Sequence, residues 1–170
     1  MDETPTRHLV VVRHGKAEGV GPSDHARRLA DRGVEDAARL GTWLAGLGLV
    51  GPAVAYVSSA ARTTATWEQL APSLTAWDVE VEVRDDLYAA GADEVAAVVA
   101  GTDDEVRTVV VVGHNPTMTA LALGLTSPGG DAHDRLAQQG LPTCGCAVVG
   151  LDRWDAPGGD LTAFVTPREY

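Results

Sequence analysis

With 170 residues, the chain has room for one domain with a substantial core and little room for a second. Hydrophobic residues make up 45% and charged residues 22%, ordinary values for a soluble globular protein, and no stretch approaches the ~18 apolar residues of a membrane span. The net charge of −11 argues against nucleic acid as a partner, because phosphate neutralisation needs clustered Lys and Arg.

The segment from Met1 to Arg7 is polar and acidic rather than basic then apolar, so no secretory leader is expected and a cytoplasmic location follows. Leu9-Val10-Val11-Val12 is a continuous, mostly β-branched run, which reads as a buried strand of a parallel sheet. Arg13-His14-Gly15 stands at its carboxyl end, where ligands of open α/β sheets bind. A Gly/Pro/Ser/Asp loop follows, and Asp31 is placed to cap a helix running to about Leu47, stopped by Gly48 and Gly51-Pro52. Val54–Val57 is a second short strand leading through Ser58-Ser59 into a helix from about Ala60 to Leu70.

Val79-Glu80-Val81-Glu82-Val83 alternates, which predicts an edge strand with one wet face. A short helix over Asp93–Ala100 precedes a second fully apolar strand, Thr108–Val112, ending in Gly113-His114-Asn115-Pro116. Pro116 suits the first turn of a helix from Thr117 to Leu125. Ser127 to Leu141 has no assignable structure; Ala147–Leu151 and Leu161–Val165 read as strands of a hairpin around Asp155–Gly159. Residues 1–170 thus form a single α/β domain: three layers, with a mostly parallel central sheet and helices on both faces. Cys144 and Cys146, one residue apart, seldom reach disulfide geometry and are too few for a closed zinc site. They are expected to be reduced, small apolar residues beside a strand.

Polar side chains gather where the apolar runs stop. Arg13 and His14 end the first strand, Arg62 lies about one turn into the helix after the second, and His114 ends the other fully apolar strand. A strand-end arginine alone is usually a surface ion-pair partner, and a lone histidine is usually structural. Two arginines and two histidines on one side of a sheet instead form a cationic pocket whose natural guest is a phosphoryl group, helix N-termini adding donors. Lys16 is the only lysine among the 13 cations of this acidic chain.

The ordered set Arg13-His14-Gly15-Lys16-Ala17-Glu18, Arg27-Arg28-Leu29 before Gly33, Ser58 through Arg62 to Thr66, and Gly113-His114-Asn115-Pro116 strongly resembles the histidine phosphatase superfamily, and within it the short SixA-type phosphohistidine phosphatases. The resemblance covers nearly the whole chain. It implies the histidine phosphatase fold, His14 as the nucleophile that is transiently phosphorylated, and Arg13, Arg62 and His114 as the clamp on the transferring phosphoryl group, with Gly15 and Asn115 assisting. It implies no metal and no cofactor, and as partner a protein carrying phosphohistidine or a small phosphorylated molecule. Neutral imidazole is abundant at pH 7, and a backbone carbonyl, that of Gly15 being the nearest, would fix its tautomer.

The chain departs from the family pattern at three places. Many relatives place a general-acid glutamate in the loop after the third strand; here the loop runs Arg84-Asp85-Asp86-Leu87-Tyr88-Ala89-Ala90-Gly91, with Asp86 the nearest candidate and Asp85 behind it. Leu29-Ala30-Asp31-Arg32-Gly33 replaces Leu-Thr-x-x-Gly, and Ser59 stands where proline commonly follows serine. Without a general acid, worth about 10²–10⁴ in rate, an alkoxide leaves poorly. Imidazole leaves more easily, which favours phosphohistidine over sugar or nucleotide phosphates. The rival readings are a small-molecule phosphomonoesterase or pyrophosphatase, and a non-catalytic phosphate-binding module. His25, Arg27 and Arg28 lie on a loop that could face either the pocket or solvent.

Overall fold

The computed structural model describes residues 7–170; the reading of residues 1–6 as a non-leader segment lies outside them. The elements in chain order are β1 (Arg7–Arg13), α1 (Asp31–Ala45), β2 (Ala53–Ser58), α2 (Ala61–Leu70), β3 (Val79–Arg84), α3 (Ala92–Ala100), β4 (Thr108–Gly113), α4 (Thr117–Leu125), α5 (Asp131–Gln139), β5 (Cys146–Leu151) and β6 (Asp160–Val165). They form one six-stranded sheet in the order β3-β2-β4-β1-β5-β6. The first four strands in that order run parallel, and β5 and β6 add antiparallel.

Alternation along each buried strand divides the core into two layers. Leu9, Val11, Val109 and Val111 face α3, α4 and α5 through Val95, Val99, Met118, Leu121 and Leu136. Val10, Val12, Val110 and Val112 face α1 and α2 through Leu40, Leu44, Trp67 and Leu70. Both faces of β1 and β4 are therefore buried, which is why these strands read as unbroken apolar runs rather than alternating ones. The expected three-layer α/β/α architecture is the one observed.

Four local readings change. Asp31 is the first residue of α1 rather than its cap: the N-cap is Ala30, with no side-chain cap, and Asp31 contributes charge to the first turn instead. α5 occupies the stretch that had no assignable structure; it buries Leu136 alone and is bounded by Gly130 and Gly140 at φ 82° and 66°. One apolar anchor in nine residues leaves no periodic signal. β3 is the edge strand, as its alternation predicts, yet Val81 and Val83 remain 42% and 57% exposed, so its valine face is covered only in part. Pro116 is the N-cap residue of α4, one position before its first turn.

The loop after β1 folds back on the start of α1. Ala30 N–H donates to the Lys16 carbonyl at 2.8 Å, Glu18 N–H to Arg28 at 2.8 Å, and Ala17 pairs with Leu29. This needs glycine at position 33, where a Cβ would lie 2.3 Å from the Lys16 carbonyl oxygen. Gly33→Ala is expected to destabilise the protein by roughly 1–3 kcal/mol in urea unfolding. Gly124, exposed in α4 with open space around it, is the control: Gly124→Ala is expected to stabilise by about 0.5–1 kcal/mol.

Candidate active site

Strand register places the site. Arg13 of β1 stands level with Gly113 of β4, and Val57 of β2 with Val112, so the strands end nearly together at their carboxyl side. His14 and His114 are each the next residue, and His14 N–H donates to the Gly113 carbonyl at 3.0 Å. The two rings lie 5.4 Å apart between centroids. Arg13, His14, Lys16, Arg27, Arg62, His114, Asn115 and Thr143 line a cleft of about 320 Å³. All four residues expected from the strand ends thus converge.

His14 Nδ1 lies 2.7 Å from the Gly15 carbonyl oxygen. A carbonyl can only accept, so Nδ1 carries the proton and Nε2 keeps its lone pair. Burial pushes His14 down to about 4; the Gly15 hydrogen bond opposes this, and Arg62 and Arg13 add to it. His114 is held the other way round. Arg62 Nη2 faces its Nδ1 at 3.4 Å, so Nε2–H donates to Ser58 Oγ at 2.8 Å. Burial, then Arg62 and His14, bring it too to about 4.

Arg13 and Arg62 differ in their surroundings. Arg13 donates from Nη1 to the Leu141 carbonyl at 3.0 Å and has no carboxylate partner among the described residues. Arg62, 6% exposed, is gripped by Asp24: Nη1 donates to its carbonyl at 2.8 Å and Nη2 to its carboxylate at 3.1 Å. Each of the two arginines keeps a buried Nε–H with no partner among the described residues. The guanidinium forks of both residues line one cleft and fit an anion with several oxygens. Among the described residues, no group of three or more His, Cys, Asp or Glu side chains is placed to hold a metal ion, and no helix is long and apolar enough to cross a membrane.

Three expected contributors take other places. Gly15 does not face the cleft: it is buried, its N–H donates to Thr66 Oγ1 at 2.9 Å, and its carbonyl holds His14. A Cβ there would lie 3.0 Å from the Gly33 carbonyl, so Gly15 serves close packing and ring orientation. Asn115 lines the cleft with its amide anchored to protein, one Nδ2–H on the Leu141 carbonyl at 2.8 Å and Oδ1 accepting from Thr119 N–H and Oγ1. Asp86 is exposed and gripped by Arg84 at 3.0 and 2.8 Å, away from the cleft lining. That hydrogen-bonded pair holds its carboxyl below the usual range, the wrong direction for a proton donor. Asp85, behind it, is exposed and absent from the cleft lining as well. At the α2 N-terminus, Ala61 N–H donates to the His25 carbonyl at 2.9 Å.

Other residues carry the site without a sequence signal. Tyr88 donates its hydroxyl proton to the Asp24 carboxylate. That bond, followed by those from Arg62 and Arg27, holds Asp24 well below the usual carboxylate range. Tyr88 also meets the rings of His25 and His114 edge-on, at 4.8 and 5.6 Å. His25 Nε2 lies 3.0 Å from Ser59 Oγ, and Ser59 N–H donates to the Arg84 carbonyl at 3.1 Å. Proline at position 59 could make neither contact, so that departure has a positive use. Arg27 reaches the cleft, whereas Arg28 is exposed outside it.

Cys144 and Cys146 are free and buried. Burial pushes Cys144 up to about 12 and Cys146 higher, so both stay thiols. With both histidines depressed from 6.5, NMR titration of the imidazole resonances is expected to give midpoints near 4 for His14 and His114. Both rings are then neutral above about pH 5, and protonation begins only below it. A midpoint near 6.5 for either ring contradicts the burial described.

Comparison with known proteins bears on what this geometry belongs to. Residues 9–92 match the family model of the histidine phosphatase superfamily, branch 1. An uncharacterized protein of Mycobacterium leprae is 38% identical over 156 residues, 86% of this chain and 90% of its own length. Among solved structures, a candidate phosphohistidine phosphatase SixA from Nakamurella multipartitia is 32% identical with a TM-score of 0.79, covering 95% of this chain and 96% of its own. A second SixA candidate, from Agrobacterium tumefaciens, is 27% identical with a TM-score of 0.78 over 95% and 99%. The chain belongs to the histidine phosphatase superfamily.

Proposed function

We propose that this protein is a phosphohistidine phosphatase working through phosphorylated His14, with a histidine on another protein as phosphate donor. One observation carries the reading: the 2.7 Å bond from His14 Nδ1–H to the Gly15 carbonyl, which leaves Nε2 as a lone pair on the wall of a cationic cleft. A neutral, tautomer-fixed imidazole beside two arginines can attack phosphorus at any pH above about 5.

In this reading the phosphoryl oxygens lie between Arg13, Arg62 and His114, and the guanidinium forks of the two arginines supply donors. The His14 Nε2 lone pair forms the new N–P bond as the donor's N–P bond breaks. The departing imidazole leaves neutral, having taken a proton from solvent on its other nitrogen. Phospho-His14 is then an imidazolium whose Nδ1–H is stabilised by the Gly15 carbonyl. Water attacks phosphorus, the P–Nε2 bond breaks, the water protons leave on the phosphate, and His14 is again neutral.

The substrate preference rests on the carboxylates. Asp86 is tied to Arg84, Asp24 is ionised between Tyr88 and Arg62, and no carboxylate is among the residues lining the cleft. A site with no proton for the leaving group handles imidazole far better than alkoxide. Lys16 and Thr143 line both this cleft and a second hollow beside it, so a side chain presented on another protein has surface to rest on next to the cleft.

Incubation with a ³²P-phosphohistidine protein is expected to label the enzyme in an acid-labile form, and His14→Ala should lose both the label and about 10³-fold or more of turnover. The kcat/KM for phosphohistidine is expected to exceed that for phosphate monoesters by at least ~10². Equal monoester turnover would favour a small-molecule phosphatase, and turnover surviving His14→Ala would refute the mechanism. Asp86→Asn should leave kcat within about twofold, since Asp86 gives no proton in this scheme.

A further inference from the structure

Lys16 and Thr143 line both the cleft and a larger hollow of about 560 Å³. The rest of that hollow comes from Arg32 and Asp36 of α1, from Gln139 and Pro142, and from Thr166, Pro167 and Arg168 after β6. Its C-terminal wall is firmly built. Arg39 Nη2 donates to the Pro167 carbonyl at 3.0 Å, and the Tyr170 hydroxyl donates to the Cys144 carbonyl at 2.7 Å.

Charge distinguishes this hollow from the rest of the surface. In a chain with 24 acidic and 13 basic residues, most cations are ion-paired. Arg13, Lys16, Arg28, Arg107 and Arg168 are those with no carboxylate in reach among the described residues. Arg13 and Lys16 line the cleft, and Lys16 and Arg168 line the hollow. The carboxylate in the hollow, Asp36, is 5% exposed and already spent on Arg32 at 3.0 Å and Arg39 at 3.3 Å. The hollow is thus cationic on a protein of net charge −11.

We propose that this hollow binds an acidic stretch of the phosphoprotein, its carboxylates against Lys16 and Arg168 while the phosphohistidine enters the adjoining cleft. The inference rests on the phosphohistidine reading above. An acidic partner is repelled by most of the surface and attracted along this one approach. Pro142 and Pro167 add rigid apolar surface for the stems of the partner's side chains. No aromatic ring is among the lining residues, so a nucleobase finds no stacking platform.

The test compares free phosphohistidine with two phosphohistidine peptides of equal length, flanked by glutamates or by glutamines. Arg168 is exposed and lies outside the cleft lining, so Arg168→Glu and Arg168→Ala leave the chemistry intact. The wild type is expected to prefer the glutamate peptide by ~10-fold in kcat/KM at low salt, with the preference shrinking as salt is raised. Arg168→Ala should reduce that preference and Arg168→Glu abolish it, with free phosphohistidine turned over within about twofold of wild type. Equal kcat/KM for the two peptides, or a preference that survives Arg168→Glu, overturns the inference while turnover of free phosphohistidine keeps the parent reading standing. Hydrolysis of phosphate monoesters with no turnover of any phosphohistidine substrate overturns both.

Discussion

The site depends on one steric constraint: the backbone after β1 must lie against the first turn of α1 with almost nothing between them. Side chains at positions 15 and 33 would collide with backbone carbonyls, 3.0 Å from Gly33 in one case and 2.3 Å from Lys16 in the other. Two glycines meet there instead. The Gly15 carbonyl can then hold His14 Nδ1, and its N–H can bond Thr66, whose hydroxyl in turn donates to the Arg62 carbonyl at 2.6 Å. His14 and Arg62, the proposed nucleophile and clamp, are thereby fixed to one another through a buried glycine.

Arg62 carries a second constraint. A buried guanidinium without a partner is costly, so it must be compensated whether or not phosphate is bound. Asp24 does this from a loop, and Tyr88 holds Asp24 in turn. The two arginines are therefore unequal. Arg13 offers a charge unopposed by any carboxylate among the described residues, whereas part of the field of Arg62 is taken up by Asp24. In the proposed mechanism such an arrangement tempers the grip on a product anion while leaving the transferring group two guanidinium forks.

The sheet and its chemistry were legible because they depend on short-range patterns. A run such as Leu9–Val12 needs no partner to be recognised: the apolar stretches ending at Arg13 and at Gly113 locate the parallel core, and parallel register then brings His14 beside His114. Asp24 and Tyr88 were not legible, since 64 residues of chain separate two side chains that meet through a loop and a 3-10 turn. Asp86 misled for a related reason: its loop position resembles that of an acid, and only the partner, Arg84, two residues away across the turn, shows where the carboxylate points. α5 escaped because a helix anchored by Leu136 alone has no period to read.

The Tyr170 hydroxyl bond to Cys144 also bears on how His14 comes to be oriented. Cys144 N–H donates to the carbonyls of Arg13 and His14 at 3.2 and 3.0 Å, so residue 170 stands two hydrogen bonds from residue 14. The contacts that orient His14 come from residues 15, 33, 66, 113 and 144, and the last cannot be placed before β5 has joined β1. Closing so long a loop is among the slower and entropically costlier steps of folding. The orientation of the His14 imidazole is thus a property of the folded sheet, and partly folded molecules present no assembled cationic cleft.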